Sequence, residues 1–230
     1  MEYMPDILYE DNHIIAVYKR TGDIIQKDKT GDKPLSEKVK SYLKEKYHKK
    51  GNVFLGVTHR IDRPVSGVVI FAKTSKALMR LNKMFLLNEI HKTYWAIVKK
   101  EPPADKGKLV HWLKKNEKQN KSYVVAAEEH GAKKAILEYV VIGKSENYFL
   151  LSVKLLTGRH HQIRCQLANI GCPVRGDLKY GFPRSNQDKG IDLLAKEIRF
   201  IHPVSGNDIK IQVPIPDNKL WQAITKNLRK

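Results

Sequence analysis

The chain is short of cysteines, long apolar runs and acids, and each shortage excludes a class of protein. Only two of its 230 residues are cysteines, Cys165 and Cys172. This number excludes a disulfide scaffold, and neither cysteine has partners at zinc-ligand spacing. The longest apolar runs, such as GVVIFA at 67–72, are far too short to cross a bilayer. Because the N-terminus also lacks the basic start and apolar core of a signal peptide, we expect a soluble, cytoplasmic protein.

The shortage of acids leaves the chain strongly basic. There are 24 Asp and Glu residues against 43 Lys and Arg, which gives a formal net charge of +19. A surplus of this size favours a polyanionic partner, and nucleic acid in particular, although solubility alone is the simpler alternative. Hydrophobic residues make up 41% of the chain, which is enough for a real core and excludes a disordered protein.

Motifs for nucleotide or metal chemistry are also missing. The sequence has no GxxxxGK[ST] phosphate loop, no GxGxxG after a strand, no HExxH and no GxSxG. The neighbouring His160 and His161 would point to different sides of a helix, and such pairs rarely bind one ion. We therefore predict no nucleotide cofactor and no metal.

Apolar spacing predicts an α+β fold. Helical periodicity marks 35–47 and 75–90, the second capped by Thr74 or Ser75, and Asp217 is expected to cap a final helix. Alternating patterns predict hairpins over 134–156 and 191–216. Strands and helices do not alternate as in a doubly wound fold, so we expect a mixed, mainly antiparallel sheet with flanking helices. No linker divides the chain, which predicts a single domain over 1–230.

Three segments resemble the RluA-type pseudouridine synthases. HRIDRPVSG at 59–67, followed by an apolar strand and AKT, resembles the signature H-R-L-D-x-x-T-S-G. Residues 155–181, LLTGRHHQIRCQLANIGCPVRGDLKYG, resemble the second block, and KTYWAIV at 92–98 resembles a third. The blocks keep the family's order. The resemblance implies the pseudouridine synthase catalytic fold, with a central RNA-binding cleft.

The resemblance also implies the reaction. A uridine in tRNA or rRNA is detached at its glycosidic bond, rotated and rejoined through carbon 5, without metal, cofactor or energy source. Many members carry a small N-terminal RNA-binding domain. This sequence begins at the catalytic core, so we expect no such domain, and we expect a monomer that grips RNA with the core itself.

Three catalytic residues follow from the resemblance. Asp62 corresponds to the nucleophile, and Arg164 to the arginine whose charge keeps that carboxylate ionised. Tyr94 corresponds to the tyrosine that stacks on the uracil ring and assists proton removal from carbon 5. The residues alone favour a turn carboxylate that caps backbone amides for Asp62, and Tyr94 could be a buried sheet residue. Whether the carboxylate attacks uracil carbon 6 or ribose carbon 1′ stays open.

The remaining expected site residues handle RNA. Arg60 corresponds to the arginine that fills the gap left by a flipped base, with a surface contact to phosphate as the alternative. His59 is expected to support the turn, and Arg159 and Gln162 belong to the second block, which Gln162 orients. The basic stretch 108–126, with Lys114 and Lys115, is a candidate RNA clamp or else a solvated hairpin tip. Asp177 and Tyr180 match a family segment to which we assign a structural role.

Departures from the family pattern leave two other hypotheses open. Val65 stands where the family has threonine, and His160, Gln166 and Cys172 also replace common family residues, which suggests a divergent branch. A non-catalytic RNA-binding or RNA-folding protein on the same scaffold is the first alternative. A metal-dependent nuclease is the second, and it would need clustered carboxylates that the motif region lacks.

Overall fold

The computed structural model describes residues 4–28, 30–226 and 228. Within these residues the chain forms eleven strands, four α-helices and one 3-10 turn. The strands are β1 Asp6–Glu10, β2 Ile14–Lys19, β3 Gly56–Val57, β4 Ser66–Ala72, β5 His91–Val98, β6 Lys106–Asn116, β7 Lys121–Val125, β8 Lys133–Lys144, β9 Phe149–Leu155, β10 Leu193–Ile201 and β11 Asp208–Gln212. The helices are α1 Leu35–Lys46, α2 Ser75–Leu86, α3 Gln162–Asn169 and α4 Lys219–Thr225, and the 3-10 turn is Leu178–Tyr180.

The chain divides into two compact units. Unit 1 comprises the residues up to Ile90 together with Ala195–Val213, and unit 2 comprises His91–Leu194 and the residues from Pro214 onward. The predicted α+β class and the mainly antiparallel pairing are confirmed in both units. The single domain over 1–230 stays a prediction.

Unit 1 is built around the buried strand β4. Its sheet has the order β1-β2-β4-β10-β11, and β3 also pairs with β4. Every residue of β4 is buried, which explains why this strand reads as an uninterrupted apolar run. Helix α1 covers one face with the leucines and valine that its periodicity predicted. That cluster contains Leu35, Val39 and Leu43 from α1 and Ile15, Val17, Val69 and Phe71 from the sheet.

Gly67 allows β4 to approach β10 closely. Its φ is +132°, and a Cβ atom at this position would lie 2.4 Å from the carbonyl oxygen of Ala195. Only glycine tolerates both the backbone angle and the distance. The first residues of β4, at the end of the HRIDRPVSG segment, are therefore held close to β10.

Unit 2 is a five-stranded antiparallel sheet with the order β5-β9-β8-β6-β7. Helix α3 packs on one face of it, which we call the α3 side, and we call the opposite face the outer side. Leu113 of β6 and Ala135 of β8 form a small core with Cys165 of α3 and with Tyr180. Successive residues of a strand point to opposite faces, so this core fixes which side chains of unit 2 lie on the α3 side.

Most element predictions are confirmed, and two boundaries differ. Helix α1, the hairpin β8–β9 and the hairpin β10–β11 lie where the patterns predicted them, and Thr74 caps α2 as expected. Helix α2 ends at Leu86 because Asn88 adopts a left-handed conformation with φ +57°. The final helix is capped by Asn218, whose side chain accepts a hydrogen bond from the N–H of Trp221. The prediction of Asp217 as the cap was wrong by one residue.

Two further observations concern the shortages in the sequence. Cys165 and Cys172 are both buried and both free. Helices in the described part of the chain are too short and too polar to cross a membrane.

Glu10, a carboxylate whose pKa is strongly lowered, connects β1 to α1 and to Lys73 at the end of β4. The Glu10 carboxylate lies 2.7 Å from Nζ of Lys46 and 2.8 Å from Nζ of Lys73, and it accepts a hydrogen bond from the Tyr47 hydroxyl. Burial alone would raise the pKa of Glu10, but these hydrogen bonds outweigh it and lower the pKa to about 2. The network therefore stabilises the fold as long as Glu10 is ionised.

We expect Glu10→Gln to destabilise the protein in a pH-dependent way. The ionised carboxylate stabilises the fold fully above pH 4.5, the ordinary pKa of a glutamate, and this contribution is lost as the pH falls towards about 2. Wild type should exceed the variant by about 2–3 kcal/mol in unfolding free energy at pH 7. The difference should shrink below pH 4.5 in urea titrations. Glu45→Gln, at an exposed position of α1, is the control, and a pH-independent difference for Glu10→Gln would contradict the assignment.

Candidate active site

Asp62 lies in a reverse turn between β3 and β4. The N–H of Val65 donates to the carbonyl of Asp62 at 3.0 Å and closes the turn, and the Asp62 side chain is half-buried. The turn is joined to the segment after β2, because the N–H of Gly22 donates to the carbonyl of Arg63 at 3.0 Å. These two hydrogen bonds hold the backbone directly after Asp62 in one conformation.

A buried lysine supports this turn from inside unit 1. Lys19, the last residue of β2, is fully buried, and its Nζ donates to the carbonyls of Val65 at 2.7 Å, Arg63 at 3.0 Å and Arg20 at 3.2 Å. An ammonium group has three donors, and these three carbonyls match that number. Two of the acceptors follow Asp62 within three residues, so Lys19 fixes the turn that carries it.

The Lys19 ammonium is also an electrostatic partner of Asp62. Burial lowers the pKa of Lys19 to about 8, while the nearby carboxylates of Asp23 and Asp62 partly oppose the shift. The lysine is mostly protonated at neutral pH, so a buried positive charge lies behind the Asp62 turn.

The neighbours of Asp62 in the motif, His59, Arg60 and Arg63, differ in their contacts and in their burial. His59 accepts a hydrogen bond at Nε2 from the N–H of Ile70 at 3.0 Å, and its ring stacks on Phe85 with the centres 4.9 Å apart. It therefore links the start of the motif to β4 and α2. Arg60 is exposed. Arg63 is also exposed, and its Nη2 lies 2.6 Å from the Asp32 carboxylate.

In unit 2, the structure brings Tyr94 and Arg164 to the same side of the sheet. Tyr94 of β5 lies opposite Val153 of β9, which in turn lies opposite Tyr139 of β8. Ala135 and Tyr139 are four positions apart along β8, so they share a face, and Ala135 packs under α3. The half-buried Tyr94 therefore lies on the α3 side, which is the side that carries Arg164.

Arg164 is locked in place by a buried carboxylate. Its Nε donates to Oδ2 of Asp177 at 2.7 Å and its Nη2 donates to Oδ1 at 2.9 Å, and both side chains are at most 5% exposed. This two-point contact fixes the plane of the guanidinium. A guanidinium has a second edge, Nη1 with the other N–H of Nη2, whose geometry suits a second carboxylate. Asp177, to which the sequence assigned only a structural role, thus orients Arg164 directly.

Tyr180 supports Arg164 from its ring face. The ring centre lies 5.1 Å from Cζ of Arg164, within the range of a cation–π contact. Its hydroxyl accepts a hydrogen bond from the N–H of Ser122 at 2.9 Å and lies 3.0 Å from Nδ1 of His161. His161 precedes α3 in a left-handed conformation with φ +51°. Burial, followed by the charges of Arg164 and His160, lowers the pKa of His161 to about 2, so its imidazole is neutral.

Gln162 organises the loop that leads into α3. Its Oε1 accepts from the Thr157 hydroxyl at 2.8 Å and from the N–H of Arg159 at 2.9 Å, and its Nε2 donates to the carbonyl of Ile136 at 3.0 Å. Arg159 is exposed, and its Nε donates to the carbonyl of Lys134. The loop is thereby joined to the edge of β8.

In the structure, Lys114 and Lys115 lie on opposite faces of the sheet. Both belong to β6, and each has an acidic neighbour: Lys114 lies 2.9 Å from Glu129 and Lys115 lies 2.6 Å from Glu117. Lys115 shares the face of Leu113 and therefore lies on the α3 side, whereas Lys114 lies on the outer side. The predicted clamp is thus a two-stranded hairpin, β6–β7, with two different faces.

The predicted site residues fall into both units. His59, Arg60 and Asp62 belong to unit 1, whereas Tyr94, Arg159, Arg164 and Gln162 belong to unit 2 with Lys114 and Lys115. The pairing of Asp62 with Arg164 therefore stays a prediction. Sequence reasoning overlooked Lys19 and the direct role of Asp177. The only sign of Lys19 in the sequence was a lysine directly after the apolar residues of a predicted strand. Among the described residues no group of three or more metal-binding side chains occurs.

Comparison with known proteins identifies the family. A family model described as RNA pseudouridylate synthase matches residues 13–169. The tRNA pseudouridine synthase C of Vibrio vulnificus (strain CMCP6) is 30% identical over 239 residues, covering 96% of this chain and 94% of that protein. The ribosomal large subunit pseudouridine synthase C of Buchnera aphidicola subsp. Acyrthosiphon pisum (strain APS) is 32% identical over 216 residues, covering 91% of this chain and 67% of that protein.

Solved structures support the same fold. Human RNA Pseudouridylate Synthase Domain Containing 4 superposes with a TM-score of 0.79 at 20% identity, covering 98% of this chain and 94% of that one. An isomerase that converts uridine in RNA to pseudouridine is the class of enzyme that these matches define. The chain belongs to this family, the RNA pseudouridine synthases, and to its RluA type.

We expect the stability contributed by Lys19 to rise with pH. Its pKa in the folded protein, about 8, is lower than the ordinary lysine value of 10.5, so the unfolded chain binds more protons between these pH values. Between pH 7 and pH 10 the unfolding free energy of wild type should increase relative to Lys19→Met by about 2 kcal/mol. Denaturant titrations at several pH values measure this difference. Lys50→Met, at an exposed position, is the control. A constant difference for Lys19→Met would show that the burial does not perturb the lysine.

We expect Asp177→Asn to slow pseudouridine formation more than its loss of stability explains. Removing one charge of a buried pair should cost about 3–5 kcal/mol of unfolding free energy and should release the guanidinium of Arg164. Asp192→Asn is the matched control, because buried Asp192 also pairs with an arginine of unit 2, Arg175, at 2.5 Å. Single-turnover rates are compared at a temperature where both variants are folded. Equal slowing in both variants would leave Asp177 with a structural role only.

Proposed function

We propose that the protein converts a specific uridine of structured RNA to pseudouridine with Asp62 as the nucleophile. The observation that carries this proposal is the placement of Asp62 in a turn fixed by the buried ammonium of Lys19, within the motif region of a pseudouridine synthase family member. A nucleophilic carboxylate needs a fixed position, and this turn supplies it.

Arg164 and Tyr94 complete the proposed catalytic set. The contact of Arg164 with Asp177 pre-orients a guanidinium that suits a carboxylate on its second edge, and we assign Asp62 to that edge. Tyr94 lies on the same side of the unit 2 sheet as Arg164, where its ring would stack on the uracil. We assign Arg60 to the gap left by the flipped base, a role that its exposure permits.

The proposed reaction is balanced without a co-reactant. The carboxylate oxygen of Asp62 forms a bond to the substrate, the bond between N1 and ribose carbon 1′ breaks, and the uracil rotates. Carbon 5 then bonds to carbon 1′ and the carboxylate is released. The proton on carbon 5 is lost, with assistance from Tyr94, and N1 gains one. Attack at uracil carbon 6 and attack at ribose carbon 1′ both fit this scheme, and we propose no metal or nucleotide cofactor for either.

For the substrate we propose tRNA or rRNA, with tRNA as the first to test. The V. vulnificus protein named for tRNA matches this chain over 94% of its length, whereas the B. aphidicola protein named for the ribosomal large subunit matches over 67%. We further propose that the protein acts as a monomer, as a single catalytic domain formed by both units, and in the cytoplasm.

We expect Asp62→Asn to abolish the reaction and to leave RNA binding nearly intact. Loss of the nucleophile should reduce the rate at least about a thousandfold. Removing one negative charge from a protein of net charge +19 should change RNA affinity by no more than about twofold. Unmodified tRNA and rRNA transcripts are incubated with wild type or variant, and pseudouridine is mapped at nucleotide resolution.

Asp6→Asn is the control for this experiment, because Asp6 is exposed in unit 1 and pairs with Arg20 at the surface. It should retain activity on the same uridine. Turnover of Asp62→Asn at the wild-type rate would refute the proposed nucleophile. Absence of pseudouridine with wild type on all tRNA and rRNA transcripts would refute the proposed substrates.

A further inference from the structure

Basic groups from four segments gather around Tyr180, on the α3 side of the β6–β7 hairpin. One of them, Lys121, pairs with Asn116 and so starts from the outer side of the hairpin, but its Nζ reaches the Tyr180 ring. Lys115 belongs to β6, Lys121 to β7, His160 to the loop before α3, and Lys179 to the 3-10 turn. Glu117 is the acid beside Lys115, at 2.6 Å. Within the described part of the chain, no carboxylate pairs with Lys121 or Lys179. We call these four residues the hairpin cation surface.

The contacts of these residues place them together and close to Arg164. Nζ of Lys121 lies 5.1 Å from the ring centre of Tyr180, and Cζ of Arg164 lies 5.1 Å from the same ring. The ring of His160 stacks on His161 with the centres 3.8 Å apart. The charges of Arg164, His160, Lys179 and Lys115 all help to lower the pKa of His161, after burial, as expected for a crowded cationic region.

The hairpin that carries the surface is fastened at its tip and along its second strand. Nζ of Lys179 donates to the carbonyls of Gln119 and Asn120, both at 3.2 Å. The Ser122 hydroxyl donates to the carbonyl of His160 at 2.8 Å, and the Ser122 N–H donates to the Tyr180 hydroxyl. Because the hairpin is held by these contacts, the basic groups are arranged before a ligand arrives, and little entropy is lost on binding.

We propose that the hairpin cation surface binds the phosphate backbone of RNA next to the nucleotide handled by Tyr94 and Arg164. This inference rests on the proposed function, and it restricts the predicted clamp to one face of the hairpin. The basic groups come from four separate segments and spread over a surface, which suits a chain of phosphates better than a single phosphate. Lys114 of the outer side takes no part in it.

Adjacent lysines of β6 provide the test. Lys115→Glu should weaken binding of a fluorescein-labelled 20-nucleotide oligouridylate roughly 5- to 20-fold at low salt and reduce the slope of log affinity against log salt by about 0.7. Lys114→Glu makes the same charge change one residue away, next to an acid at a similar distance, and should leave affinity and slope within about twofold and 0.2 of wild type. Fluorescence anisotropy over a range of KCl concentrations gives both quantities.

Two further arms make the result independent of folding and of catalysis. Lys115→Gln and Lys114→Gln repeat the comparison without charge reversal, and the first should show a smaller loss in the same direction. Inorganic phosphate, compared with chloride at equal ionic strength, should not displace the oligouridylate. An effect of Lys114→Glu equal to that of Lys115→Glu would overturn the proposal, and so would selective displacement by phosphate. Because binding of oligouridylate needs no turnover, these outcomes are distinct from a failure of the Asp62 mechanism.

Discussion

The architecture of the candidate active site depends on one buried ammonium group. Nζ of Lys19 binds two carbonyls of the turn that follows Asp62, at 2.7 and 3.0 Å, and no apolar side chain could replace these bonds without leaving buried acceptors unsatisfied. The cost of burying the charge is visible in a pKa lowered to about 8. A structure retains such a charge when the segment that it holds has to keep one conformation.

In unit 2, side chains and not backbone carbonyls hold a buried charged group in place. There the charge that needs a fixed position is the guanidinium of Arg164, and a buried carboxylate, Asp177, and an aromatic ring, Tyr180, hold it from two directions. The hydroxyl of the same tyrosine reaches the backbone of β7. One side chain thus supports both the candidate catalytic arginine and the basic hairpin, so β7 and the arginine share a common support.

Elements with a strong local pattern could be predicted, whereas details set by distant neighbours could not. The stripe of Leu35, Val39 and Leu43 was sufficient for α1, because burial of that stripe forms the unit 1 core. The cap at Asn218 could not be distinguished from Asp217, since both residues have capping side chains and the choice depends on where the backbone enters the helix. Likewise, adjacent lysines in a basic stretch look equivalent until a strand places Lys114 and Lys115 on opposite faces.

The sequence by itself determined the fold class, the family and the identity of the candidate catalytic residues, because these depend on apolar periodicity and on motifs that are contiguous in the chain. Tertiary structure alone decided which groups support those residues. Lys19 reaches the Asp62 turn across 44 to 46 positions, and the hydroxyl of Tyr180 reaches Ser122 across 58. Hydrogen bonds of this range leave no periodic signal in a sequence, since they depend on how strands pair and helices pack and not on spacing along the chain.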